Sequence, residues 1–285
     1  MTVAHHIMTL PQALILSVLQ GLTELFPFSS LGLTVILPKA LGWHINQSGS
    51  TFLPFVVMLH VGTASALLIY FWKDWYRIIK GFFESFRKRR TLQENEDARM
   101  AWLLIFGTIP AGLLGLLLSH KLKALFAAPT AAAIFLFING LIMLLGERFR
   151  KAAERGDANK KGILQMRPKE AIVVGFAQSL ALLPGISRSG VTMVAGLMQD
   201  LSHVAAARYS FLLATPIILA AALLEVHHLH GLHGMLGISL IGGVVSGVVA
   251  YLSARFLMQY FKFGTLKPFA YISMVLGILS LVFVR

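Results

Sequence analysis

The chain contains no cysteine, carries only 12 acidic residues, and is poor in charge overall at 13% of its 285 residues. The missing cysteine excludes a disulfide framework, thiolate metal sites and a cysteine nucleophile. A soluble domain of ordinary composition carries about 25% charged residues, so this chain cannot cover a water-facing surface. Disorder needs low hydrophobicity and high charge, and is excluded by 56% hydrophobic residues. Residues 1–9 hold His5 and His6 but no lysine or arginine, so no cleavable signal peptide is expected there. The net charge of +13 does not point to nucleic acid, because membrane proteins hold a basic surplus in their cytoplasmic loops.

What remains is apolar, with a mean hydropathy of +0.74, and reads as a polytopic membrane protein. Six runs are long enough to cross a bilayer: 55–72, 101–118, 131–146, 207–225, 236–254 and 268–284. Two further apolar stretches are interrupted. Residues 10–41 are broken by Pro27, Ser29, Ser30 and Gly32, and residues 171–198 by Pro184, Gly185, Ser187, Arg188, Ser189 and Gly190. Each half is too short to span alone, and unwound backbone at membrane depth survives only where protein or water surrounds it. Both stretches are therefore expected to be re-entrant helical hairpins.

Loop charge agrees with this bookkeeping. Residues 72–100 and 147–170 hold eight basic residues each, and Arg208, Arg255, Lys262 and Lys267 fall on the same side. The opposite side keeps Lys39, Lys121, Lys123 and Arg285. The basic side is assigned to the cytoplasm. Trp72, Trp75 and Tyr76 read as an interfacial belt, and Arg87–Arg90 as a topology signal beside anionic lipid.

Offset by 158 residues, 13–34 lies over 171–192 without a gap, with identities at Ala13, Gln20, Leu22, Leu25, Ser29, Gly32 and Thr34. The expected fold class is thus all-α: six transmembrane helices plus two re-entrant hairpins in an inverted-topology repeat. One integral membrane domain covers 1–285. The first repeat is 10–146 with its hairpin at 10–41, and the second is 169–284 with its hairpin at 169–199. Paired broken segments mark a midplane site, and their half-helix N-termini favour an anion.

Two groups of residues carry chemistry. Gln20 and Glu24 share a helical face, four residues apart, and Glu24 is the acid well inside a membrane segment. It suits a divalent cation with Gln20 as neutral co-ligand, a base, or a structural partner for Arg188. Pro184-Gly185-Ile186-Ser187-Arg188-Ser189-Gly190 gathers backbone amides, two hydroxyls and a guanidinium into a phosphate cradle. His60 lies within a span and reads first as a packing residue. The His227, His228, His230 and His233 cluster reads as an exposed loop.

At these two hairpins the chain resembles the undecaprenyl-pyrophosphate phosphatase family, also called bacitracin-resistance proteins. Gln20–Ser30 looks like its Glu/Gln-x-x-x-Glu motif running into Pro-x-Ser-Ser, and Pro184–Gly190 like its Pro-Gly-x-Ser-Arg-Ser-Gly motif. The stretches 59–63 and 211–216 are similar to its spans. The resemblance implies hydrolysis of a C55 polyprenyl diphosphate, with a divalent cation (Mg or Ca), at a site open to the outer face, in a homodimer. It implies catalytic roles for Glu24, Ser30 and Arg188, metal binding by Gln20 and Glu24, and phosphate binding by Ser29, Ser187, Arg188, Ser189 and Gly190. One departure is plain: Leu33 stands where the family carries a histidine, and leucine can neither attack nor move a proton. A carrier that flips a polyprenyl phosphate without hydrolysis would need the same anion site but no proton-transfer residue.

Overall fold

The computed structural model describes residues 8–46, 51–87, 95–126, 128–153, 161–225 and 235–283. The described residues form helices and no named strand. In chain order these are α1 (Leu10–Thr23), α2 (Ser30–Ala40), α3 (Phe52–Tyr70), α4 (Trp72–Arg87), α5 (Glu96–Phe126), α6 (Pro129–Ala153), α7 (Pro168–Ser179), α8 (Arg188–Met198), α9 (His203–Glu225), α10 (Leu236–Tyr260) and α11 (Lys267–Phe283). Five of them, α3, α5, α6, α9 and α10, are long and apolar enough to cross a membrane. The chain is a multi-pass membrane protein. Its long helices present apolar side chains outward, among them Ile69, Leu117, Val244, Leu252 and Val282, a surface that suits lipid rather than water.

Helix α11, at 17 residues, sits at the short limit for a span. It lies along α6 at close range, because Gly277 presses against the Phe137 backbone. Small residues bring α3 and α10 together in the same way: a Cβ on Gly243 or Gly247 would touch the backbone of Met58 or Gly62 at 3.0 Å. Such small-residue seams are how helices associate in lipid, where apolar burial offers no advantage.

The two interrupted stretches form helix–break–helix units. In the first, α1 ends at Thr23, 24–29 are non-helical, and α2 begins at Ser30. In the second, α7 is followed by a 3-10 turn at Leu180–Leu182, and α8 begins at Arg188. The breaks lie earlier in the chain than the sequence reading placed them. Ser30, Gly32, Arg188, Ser189 and Gly190 all belong to the first turn of a helix. Prolines 27 and 184 end the preceding helical path, and the serines that follow start the next one as N-caps. Ser29 accepts from the Gly32 amide at 3.1 Å, and Ser187 from the Gly190 amide at 3.2 Å. Thr34 donates to the Ser30 carbonyl and Thr192 to the Arg188 carbonyl, each at 2.8 Å. These pairs are the residues that coincide at the 158-residue offset.

Residues 72–100, read from their charge as a loop, instead fold largely as α4 and the start of α5. Trp72, Tyr76, Ile79, Phe83 and Phe86 recur at helical spacing and are exposed along α4, giving it an apolar face of the kind that lies in a membrane interface. The basic ends of several helices converge. Arg208 of α9 pairs with Asp74 of α4 at 2.7 Å, Arg99 of α5 donates to the Met166 carbonyl at 2.8 Å, and Lys161 reaches Glu170 at 3.6 Å. Buried Glu147 of α6 meets His203 at 2.7 Å and accepts from the Leu266 amide at 2.7 Å. The His227–His233 cluster, and the side chains of Arg87–Arg90, lie outside the described residues.

Candidate active site

The tips of the two broken units meet. The Ser29 hydroxyl accepts from the Gly185 amide at 3.1 Å, and the Ser189 hydroxyl donates to the Phe26 carbonyl at 3.1 Å. Glycine is required at the crossing. Gly185 has φ +103, and a Cβ there would fall on the Ala132 carbonyl, while a Cβ on Gly32 would stand 2.9 Å from the Gly185 Cα. Phe26 and Phe28 stack and pack against Phe269 of α11, with Phe256 of α10 against Phe26. The first tip is thereby seated in an aromatic nest.

A single amide joins both tips from α6. Asn139 is fully buried. Its Nδ2 donates to the Pro27 carbonyl at 3.0 Å and to Ser273 Oγ at 3.1 Å, and its Oδ1 accepts from the Ser187 amide at 3.0 Å. This residue was missed in the sequence reading. The available signal was an amide inside an apolar run, which is costly in lipid unless it has partners.

Beside the crossed tips, four polar side chains collect around one carboxylate. Arg188 Nη2 lies 3.1 Å from Glu24 Oε1. Glu24 Oε2 accepts from Gln20 Nε2 at 2.8 Å and from Ser30 Oγ at 2.7 Å, and His60 Nε2 stands 3.4 Å away. Arg188 Nη1 also donates to the Ser210 carbonyl at 3.3 Å. The fold therefore brings together Gln20, Glu24, Ser30 and Arg188, and adds His60, which from sequence read first as a packing residue. Ser29, Ser187, Ser189 and Gly190 occupy the same crossing, where Ser29 and Ser189 tie the two tips to each other, while Ser187 Oγ accepts from the Gly190 amide and lies 3.0 Å from Ser189 Oγ within its own tip. Leu33 is partly buried and packs against the apolar core clusters.

An ion pair kept only for structure needs two charges with their lone pairs and protons satisfied. Here three further polar groups aim at the one carboxylate oxygen that Arg188 leaves free, and His60 retains 25% side-chain exposure against 7% for Glu24. Hydroxyl, carboxylate and guanidinium lie within hydrogen-bond reach, at the N-termini of two helices whose first-turn amides have no acceptor within their own helix.

A family model described as "Bacitracin resistance protein BacA" matches residues 13–279. The chain belongs to the BacA family. Among its relatives, "Undecaprenyl-diphosphatase 2" of Chromobacterium violaceum is 48% identical over 95% of this chain and 98% of that protein. "Undecaprenyl-diphosphatase" of Acidiphilium cryptum is 46% identical over 95% of this chain and 97% of its own length. A protein of the same name from Mycolicibacterium paratuberculosis is 45% identical over 95% and 96%. The BacA match spans both breaks, the five long apolar helices α3, α5, α6, α9 and α10, and every residue of the carboxylate cluster.

Proposed function

We propose that the chain is an undecaprenyl-diphosphatase, a membrane hydrolase that converts the C55 lipid diphosphate to its monophosphate and inorganic phosphate. The observation that carries this reading is the Ser30–Glu24–Arg188 constellation, supported by the names of relatives over nearly the whole chain. In this mechanism Arg188 and the uncapped first-turn amides of α2 and α8 hold the terminal phosphate and oppose its growing charge. Ser30 Oγ attacks the terminal phosphorus and passes its proton to Glu24 Oε2, 2.7 Å away. The bond to the bridging oxygen breaks and polyprenyl phosphate leaves. Water then attacks the phosphoserine phosphorus, Glu24 relays a proton back to Ser30 Oγ, and inorganic phosphate departs. The relatives' names do not favour a carrier that flips the lipid without cleaving it.

The residues suit a divalent cation. Glu24 offers a carboxylate, Ser30 a hydroxyl, and Gln20 an amide oxygen when its side chain is turned over; hard cations are commonly held by one or two carboxylates plus substrate phosphates. Bound there, the cation would neutralise diphosphate charge and polarise the phosphoryl oxygens. The architecture behind this reading is six spans, α11 included, with two re-entrant hairpins in inverted repeat. The site opens to the outer face, opposite the basic helix ends of a bacterial inner-membrane protein. Matching caps at Ser29 and Ser187 support the repeat.

The test is phosphate release from undecaprenyl diphosphate by purified protein in detergent. Glu24→Ala and Arg188→Ala should each lower it by roughly 10²–10³ or more. Retained release in both variants ends the reading, and lipid flipping in liposomes without release favours the carrier.

A further inference from the structure

We propose that His60 is a ligand of the divalent cation at this site, shared with Glu24, and that it tilts the site toward metals that accept imidazole, such as Mn²⁺, over Mg²⁺ and Ca²⁺. This inference rests on the diphosphatase reading and adds a residue to it.

The argument begins on α3. His60 Nδ1 lies 2.8 Å from the Val56 carbonyl. A carbonyl has no proton to give, so Nδ1 carries the hydrogen and the ring is locked in one tautomer and one orientation. That leaves Nε2 facing Glu24 Oε2, 3.4 Å away, where either a proton on Nε2 or a metal ion can bridge the two. Two acceptors facing each other repel unless something positive lies between them. Two ligands bonded to one metal at roughly 2.0–2.2 Å, about 90–110° apart, stand roughly 3.0–3.5 Å from each other, which is the separation found. An imidazole whose other nitrogen donates to a backbone carbonyl is the usual outer-shell arrangement of a metal-bound histidine.

The surrounding groups fit the same account. Ser30 Oγ and the Gln20 amide crowd the same carboxylate oxygen, while Arg188 occupies the other. One face of the carboxylate is thus left to oxygen and nitrogen donors and the other to a fixed cation. The partial exposure of His60 gives an incoming ion a path. Mg²⁺ and Ca²⁺ take oxygen ligands, whereas imidazole ranks metals toward the transition series. A histidine at this position therefore changes which cation the site prefers.

The test uses tag-free, full-length protein in detergent, with Mn²⁺ as the probe. Pulsed electron paramagnetic resonance should detect nitrogen coupling to bound Mn²⁺ in the wild type, and that coupling should vanish in His60→Gln and His60→Ala. Mn²⁺ affinity should fall at least roughly tenfold in both variants, and Mg²⁺ affinity by less than about threefold. Three results overturn the proposal: no Mn²⁺ binding in the wild type, bound Mn²⁺ without nitrogen coupling, or coupling that persists in the His60 variants, as the His227–His233 run would supply. Phosphate release with Mg²⁺ is measured on the same wild-type protein. Release without nitrogen coupling removes His60 from the metal and leaves the diphosphatase; coupling without release from any lipid diphosphate does the reverse.

Discussion

Asn139→Leu isolates how much the crossing of the two tips depends on one amide. Leucine has nearly the same volume and keeps the site apolar, so the change removes hydrogen bonds without opening a cavity. Three bonds disappear, but the losses are unequal. Ser273 Oγ still donates to the Leu136 carbonyl at 2.7 Å and keeps a partner. The Pro27 carbonyl and the Ser187 amide lose the Asn139 bonds and lie where water does not reach. Each orphaned buried group costs about 1–3 kcal/mol, so Asn139→Leu should destabilise the protein by about 2–6 kcal/mol. Asn139→Asp should cost more, since it turns the two donations into a carboxylate oxygen facing the Pro27 carbonyl in a fully buried site. Both tips would also lose their common anchor, and misplacing a reacting group by about 1 Å costs roughly a hundredfold in rate. Denaturant unfolding in detergent, paired with phosphate release at saturating lipid, reads both effects. Asn139→Leu within 1 kcal/mol of wild type with unchanged turnover, or Asn139→Asp more stable than Asn139→Leu, would refute the argument.

Gly32→Ala places a Cβ 2.9 Å from the Gly185 Cα and 3.0 Å from its nitrogen. The two tips must part, so turnover should drop by roughly a hundredfold while the far helices hold their fold; normal turnover would show that the crossing gives way freely. Leu33→His restores the imidazole that the family resemblance leads one to expect, one turn beyond Ser30. A positioned proton carrier contributes roughly 10²–10⁴, so phosphate release should rise by about a hundredfold, at about 1–3 kcal/mol of stability for placing a polar ring against apolar clusters. A folded Leu33→His protein with unchanged release would mean that the reaction does not need an imidazole at that position.

The parts legible in the sequence were those with a strong local or energetic signature. Long apolar runs are helices in lipid because no other backbone there satisfies itself. Glu24 and Arg188 stood out because ionised groups at membrane depth are expensive. Pro27 and Pro184 marked where two helices stop. The misreadings also have physical causes. Residues 72–100 were read by their charge, although Trp72, Tyr76, Ile79, Phe83 and Phe86 already carried the helical period of α4. The breaks were drawn a few residues too late, because a serine can start a helix as readily as end one, and its role is decided by which amide it caps.

From its own composition and spacing, the chain determined that it lives in a membrane, where its helices begin and break, and which two charges are out of place. Only the tertiary structure decided that those charges meet, 164 residues apart in sequence, that His60 turns its Nε2 toward their carboxylate, and that Asn139 holds both tips 112 and 48 residues away. The reason is that a helix imposes its period on neighbours three and four residues away, whereas a contact across the bundle depends on how close two backbones can come. That distance is set by glycines on facing helices, which carry no chemical signature of their own.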